Sequence, residues 1–215
     1  MTSDTRWCFS PTFLGISALV NAISYQHKPG ATESSVLGPF HDENSHLIGN
    51  GATIVEEGTY GEATLVRGKV RSVTGAPVKQ AFLDVWETDG HGVYDLEYVD
   101  RHGDPNRRGK LYTDDEGQYA FTCVRPILRP AHMHFMILHP EYNKLITALY
   151  SRDSKYVESD TVFGVKSSLL VDYKFTKDTE LAGEYGMQTF KKNIDGKQRE
   201  GGASAAQDSR LDQEA

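Results

Sequence analysis

Apolar positions along the chain change period near residue 63, and that change separates two kinds of structure. Ile16, Leu19, Val20 and Ile23 recur at helical spacing with polar residues between them, which predicts one short amphipathic helix over about 13–24. One helix cannot bury its stripe alone, so this one is expected to dock on the body of the protein or on a second copy of the chain. From Ala63 the texture becomes short β-rich runs: "ATLVRGKVRSV", "VKQAFLDVWET", "GKLYT", "GQYAFTCV", "AHMHFMIL" and "KLITALY". They are broken at "TGAP", "TDGHG", "TDDEG" and "HPEYN", turn sequences rich in Gly, Asp and Pro. Short strands at regular spacing predict a mainly β protein, an antiparallel β-sandwich. "SDTVFGVKSSLLVDYKF" adds an apolar segment of either type, and after about Lys191 the chain turns polar and small, which predicts a disordered C-terminal tail. The resulting division is 1–62 for the helix and a connecting segment, 63–190 for the sandwich, and 191–215 for the tail.

One strand interrupts its apolar pattern with chemistry. In "RPAHMHFMI" (129–137), side chains at i and i+2 share a face, so His132 and His134 lie with Met136 while Met133, Phe135 and Ile137 face the other way. Two imidazoles on one face are met by backbone carbonyls in an ordinary core, or by a metal. "LDVWETDGHGVYD" (83–95) places Tyr94 just after a Gly-rich turn at a strand end, where a side chain is either a core-edge cover or part of a site. Two imidazoles with a phenolate suit a hard trivalent ion, because the charge of the metal deprotonates a phenol whose ordinary pKa is near 10. Iron(III) is the natural candidate.

Composition narrows the partners. A formal net charge of −7 excludes a broad nucleic-acid footprint, and the one basic run, "NRRGK" at 106–110, is short and flanked by acids. "FLGISALVNAI" is too short to span a bilayer, so no membrane partner is expected. Cys8 and Cys123 form no C-x-x-C pair and no disulfide framework, which favours a reducing, cytoplasmic setting.

"ESSVLGPF" (33–40), "RGKVRSVTGAPVKQAFLDVWETDGHGVYD" (67–95), "RGKLYTDDEGQYAF" (108–121), "RPAHMHFMI" (129–137) and "DTVFGVKSSL" (160–169) together resemble the intradiol ring-cleavage dioxygenases. The wording is most similar to hydroxyquinol 1,2-dioxygenases, with catechol 1,2-dioxygenases next, and the resemblance covers about residues 13–175. It implies a β-sandwich of the intradiol type that cleaves a small aromatic diol or triol with dioxygen, using Fe(III), with a homodimer formed through the N-terminal helix. It implies Tyr94, His132 and His134 as iron ligands and Arg129 as the catalytic arginine that stabilises negative charge developing on the ring. Leu37, Pro39, Phe163 and Gly164 match stretches that line the substrate pocket of the family.

The resemblance breaks at one place. The family has a second tyrosine ligand in a Tyr-x-x-Pro segment between its "VRP" turn and the histidine strand, and in its mechanism this tyrosinate leaves the metal as the base when substrate binds. Here "CVRP" runs almost directly into "ILRPAHMHF", and no tyrosine lies between Tyr119 and Tyr142. The N-terminal helical region is likewise reduced to little more than one helix. Tyr94, His132 and His134 correspond to the set the family keeps with substrate bound. Three readings remain open on sequence: an iron(III) intradiol dioxygenase with reduced activity, a β-sandwich that binds a metal or phenolic ligand without turnover, and a transthyretin-like interaction domain with core histidines.

Overall fold

The computed structural model describes residues 15–24, 29–97, 105–127, 130–160, 164–187 and, after residue 191, the segments 192–194, 197–199, 203–206 and 210–212. It is built on two stacked β-sheets. One has the order β3-β2-β5-β6-β7, from Arg108–Tyr112, Phe82–Glu87, His132–His139, Tyr142–Ser151 and Leu170–Val171. The other pairs β1 (Ala63–Arg71) antiparallel with β4 (Gln118–Val124). Val66, Val70, Phe121 and Cys123 from the second sheet pack against Leu83, Val85, Leu111, Phe135, Ile137 and Leu149 from the first. This is the sandwich predicted from short strands at regular spacing, with the β-rich runs supplying the layers and their inner residues the core.

In β5 the inward face is Met133, Phe135 and Ile137, each a core residue. The histidine face therefore looks away from the sandwich interior. That outer face is not left to water. Residues 33–48 run across it as a strap, with no regular secondary structure beyond an isolated bridge at Leu47. The Ser35 N–H donates to the Ile146 carbonyl at 2.9 Å, the Thr147 hydroxyl to the Glu33 carbonyl at 2.8 Å, and the Ile48 N–H to the Lys110 carbonyl at 2.7 Å. The strap thus crosses from β6 to β3, and β2 is buried on both sides, with Asp84 and Trp86 as inaccessible as Leu83 and Val85.

The helix forms at Ile16–Ser24 (α1), but its stripe does not dock on the sandwich. Ile16, Leu19, Val20 and Ile23 are between 48 and 69% exposed. Among the described residues, the body of the chain leaves that stripe exposed. The segment of undecided type resolves into a 3₁₀ turn at Ser167–Leu169, then β7 and β8 (Tyr173–Thr176), followed by a short helix α2 at Thr179–Glu184 capped by the Asp178 carboxylate.

The stretch read as a polar tail carries four short strands, β9 (Lys192–Ile194), β10 (Lys197–Arg199), β11 (Ala203–Ala206) and β12 (Arg210–Asp212). β11 and β12 run parallel to β1, and β11 also pairs with β8. Such pairing uses backbone groups, which the composition argument, concerned with side-chain burial, does not address. Among the described residues no helix is long and apolar enough to cross a membrane.

Candidate functional site

The site lies between the outer face of β5 and the turn after β2. The Tyr94 hydroxyl is 3.1 Å from His132 Nε2, and His132 Nε2 is 3.1 Å from His134 Nε2. His132 Nδ1 lies 2.6 Å from the Pro130 carbonyl, which can only accept, so that nitrogen carries the proton and Nε2 presents a lone pair. Two polar atoms thus approach a nitrogen with one lone pair to offer. A shared cation relieves that crowding, because donors bound at about 2.1 Å to one ion at right angles sit about 3 Å apart. Burial, reinforced by the like charge of His132 and of His41, holds the His134 pKa well below its usual range, so this imidazole is neutral with its lone pair available. Its other nitrogen, Nδ1, is buried with no hydrogen-bond partner. Among the described residues no three of His, Cys, Asp and Glu gather. A site here draws on the phenol as its third donor, and that donor set suits a hard trivalent ion.

The walls are aromatic. Phe40 stacks on the Tyr94 ring at 4.4 Å, Trp86 stacks on His134 at 4.9 Å and 7°, and Tyr150 stacks on His132 at 5.3 Å. Gly38, at φ +75°, has no side chain where a Cβ would lie 3.3 Å from His134 Cε1 and 3.4 Å from Nε2. That residue lets the strap come down onto the Cε1–Nε2 edge of the imidazole. His41 Nε2 meets the buried Asp84 carboxylate at 3.0 Å and the His41 ring stands edge-on to Trp86, pinning the strap over β2.

Of the residues named from sequence, Tyr94, His132 and His134 are brought together. Leu37 and Pro39 flank Gly38 on the strap; Leu37 is partly open to solvent. Gly164 packs against Ser35 and the hydroxyl of Tyr150, the residue stacked on His132, and the Ser35 hydroxyl donates to the Gly164 carbonyl at 3.2 Å. Arg129 and Phe163 lie outside the described residues. Phe40, Trp86, Tyr150 and the buried pair Arg108–Asp95 also belong to the surroundings; the blocks "ESSVLGPF", "VWETDGHGVYD" and "RGKLYTDDEGQYAF" contain all of them but Tyr150, without singling out any one.

Comparison with known proteins places this arrangement in context. The sequence profile of the family described as "Dioxygenase" matches residues 36–128 and 127–195. The two stretches meet where the Tyr-x-x-Pro segment is absent. A hydroxyquinol 1,2-dioxygenase from a Rhizobium species is 35% identical over 202 residues, covering 84% of this chain and 68% of that protein. The intradiol ring-cleavage dioxygenase hqdA of Aspergillus niger is 38% identical over 208 residues, covering 86% of this chain and 62% of its own length. Among solved structures, a hydroxyquinol 1,2-dioxygenase from Pseudomonas putida superposes with a TM-score of 0.80 at 33% identity, over 97% of this chain and 75% of that one. The chain spans about two-thirds of the length of the curated relatives it matches.

Proposed function

Because the chain belongs to the intradiol ring-cleavage dioxygenase family, we propose that it is a non-haem iron(III) enzyme that opens the ring of a catechol-type substrate between its two hydroxylated carbons. Hydroxyquinol is the substrate we favour, as the relatives carrying that name include the Rhizobium and Pseudomonas proteins. The observation that carries the reading is the convergence of the Tyr94 oxygen and the two Nε2 atoms within 3.1 Å steps.

Tyr94, His132 and His134 would hold the metal, and iron(III) there would supply Lewis acidity that favours the ionised form of the diol, whose ring is the electron-rich partner that dioxygen attacks. The residues around it do the rest. His132 is kept in the ligating tautomer by the Pro130 carbonyl. Phe40, Trp86 and the strap exclude water from the side of the phenol and of His134. Leu37, Pro39, Phe163 and Gly164 would line the substrate, and Arg129 would balance charge developing on the ring. Residues 125–131 contain no tyrosine, so this connection brings no second phenolate to accept a substrate proton. Turnover is therefore slow beside a relative with that segment. A second copy would cover the exposed stripe of α1 to give a homodimer, and the net charge of −7 with the buried free thiol of Cys123 accords with a cytoplasmic protein.

Oxygen uptake by the Fe(III)-loaded protein tests the reading, with hydroxyquinol and catechol compared. Slow uptake with a ring-opened dicarboxylate as product is expected. An iron-loaded protein that binds hydroxyquinol yet consumes no oxygen, even with a family-type segment inserted, would favour the non-catalytic β-sandwich that holds a metal or phenolic ligand.

A further inference from the structure

With one phenol instead of two, the site depends on how well that phenol is held. Tyr94 opens a short 3₁₀ turn, Asp95–Glu97, after the end of β2, a location with no sheet hydrogen bonds of its own. Three contacts fix it. The Tyr94 N–H donates to the Glu97 carboxylate at 2.8 Å, the Phe40 ring covers its phenol at 4.4 Å, and the next residue, Asp95, is buried in an ion pair with Arg108.

Arg108 comes from β3 and uses its guanidinium as a three-armed clamp. Nε donates to Asp95 Oδ2 at 2.7 Å, Nη2 donates to Asp95 Oδ1, and Nη1 donates to the Phe40 carbonyl at 3.1 Å. The Asp95 carboxylate also accepts the Leu96 N–H at 2.9 Å and the Asn106 N–H at 3.2 Å. The same arginine therefore grips the residue that follows Tyr94 and the residue that stacks on it. A lysine could supply the charge but not the fork.

A buried ion pair is a weak source of net stability, since desolvating both charges offsets their attraction, so a buried pair is informative chiefly by what its geometry fixes. Here it ties the turn after β2 to the strap, the two segments that enclose the Tyr94 phenol. We infer that Arg108 is a positioning residue for Tyr94, acting through Asp95 and Phe40 to hold the phenol oxygen at the two imidazoles. The inference rests on the metal-site reading given above.

The test is a double-mutant cycle on the full chain. Fe(III) affinity is measured by chelator competition for Arg108→Lys and Asp95→Asn, each with Tyr94 intact and in a Tyr94→Phe background, with the visible tyrosinate-to-iron band recorded alongside. With Tyr94 intact, each substitution should lower affinity roughly 10- to 100-fold and weaken the band. In the Tyr94→Phe background the same substitutions should change affinity by no more than about twofold, because the group they act through is gone. If either variant fails to show a cooperative thermal transition, Phe40→Leu, which removes the stack and keeps the carbonyl, is expected to shift the band in the same direction. Equal losses in both backgrounds, or no loss in either, would overturn the positioning role. Should Tyr94→Phe itself leave band and affinity unchanged, the metal-site reading falls. Should it abolish the band while Arg108→Lys and Asp95→Asn leave affinity intact, only the role of Arg108 falls.

Discussion

The two flanks of the Tyr94–His132–His134 cluster are built to different standards. On the tyrosine flank, a 3₁₀ turn, a buried ion pair, an aromatic stack and the strap all converge on one phenol. On the other, residues 125–131 join β4 to β5 directly; Pro130 gives a carbonyl to His132, and the sequence there offers no tyrosine. The fold tolerates this well. The ends of two sandwich strands are already near one another, and closing a loop costs little more or less as its length changes. Chemistry is less forgiving, since a ligand has to arrive at one point. A sandwich can therefore keep its core whatever the length of the connection beside a candidate site.

The sharpest way to break the comparison is to rebuild the poorer flank. Inserting a family-type Tyr-x-x-Pro segment between Ile127 and Leu128 should raise oxygen uptake with hydroxyquinol by roughly two to four orders of magnitude, the usual worth of positioned proton transfer. Unchanged uptake in an insertion variant that retains iron would mean the connection does not limit turnover.

A smaller effect should come from the cover over His134. Gly38→Ala puts a Cβ against the Cε1–Nε2 edge of His134 and forces a side chain into φ +75°, at about 1–2 kcal/mol of backbone strain. Iron affinity, measured by chelator competition, should fall about tenfold, which is 1.4 kcal/mol in that range. No change would show that the strap gives way instead.

Glu87 probes the anchor of the poorer flank. Its carboxylate accepts the Val124 N–H at 3.3 Å, where β4 ends, and its other oxygen has no partner. Burial raises its pKa well above the usual carboxylate range, against smaller opposing contributions from Val124, Cys123 and Arg107. The folded state thus keeps a proton that the unfolded chain releases above pH of about 4.5. Stability from this group is full below that pH and is lost as pH rises through the folded pKa. Glu87→Gln should flatten the fall in thermal midpoint on the alkaline side and leave the iron band alone. A band that moves would tie Glu87 to the site.

The smallest change expected is that of Tyr150→Phe. Burial raises the Tyr150 pKa to about 12, so the phenol is neutral at any working pH, and its hydroxyl lies 3.3 Å from Ser35 Oγ. Losing that contact should cost about 0.5–1.5 kcal/mol in a denaturant titration and leave iron binding intact. A large loss of turnover would instead make Tyr150 the phenol that serves the poorer flank.

Much of this molecule is legible in its amino-acid sequence. Six β-rich runs separated by turns specify the sandwich, because short strands at regular spacing bury their apolar residues by stacking two sheets. The pairing of His132 with His134 on one face follows from the two-residue period of a strand. Which face that is does not follow, because the strap that buries it has no periodic pattern of its own. The burial of Asp84 and Trp86 depends on that strap, so the sequence shows β2 only as one of the β-rich runs. Arg108 falls in the short basic run "NRRGK" and opens the block "RGKLYTDDEGQYAF", and only tertiary contacts set its guanidinium against Asp95 and Phe40. The stripe of α1 is legible as apolar, but amphipathicity names a face to be covered and not the surface that covers it.

One measurement bears most directly on the claim that these three side chains form a metal site. Fe(III) titrated into the protein and into Tyr94→Phe, followed by visible absorption and by bound iron, should give a tyrosinate-to-iron charge-transfer band that saturates at one ion per chain and is absent in the variant. An identical band in the Tyr94→Phe protein, or no iron retained by either, would contradict it.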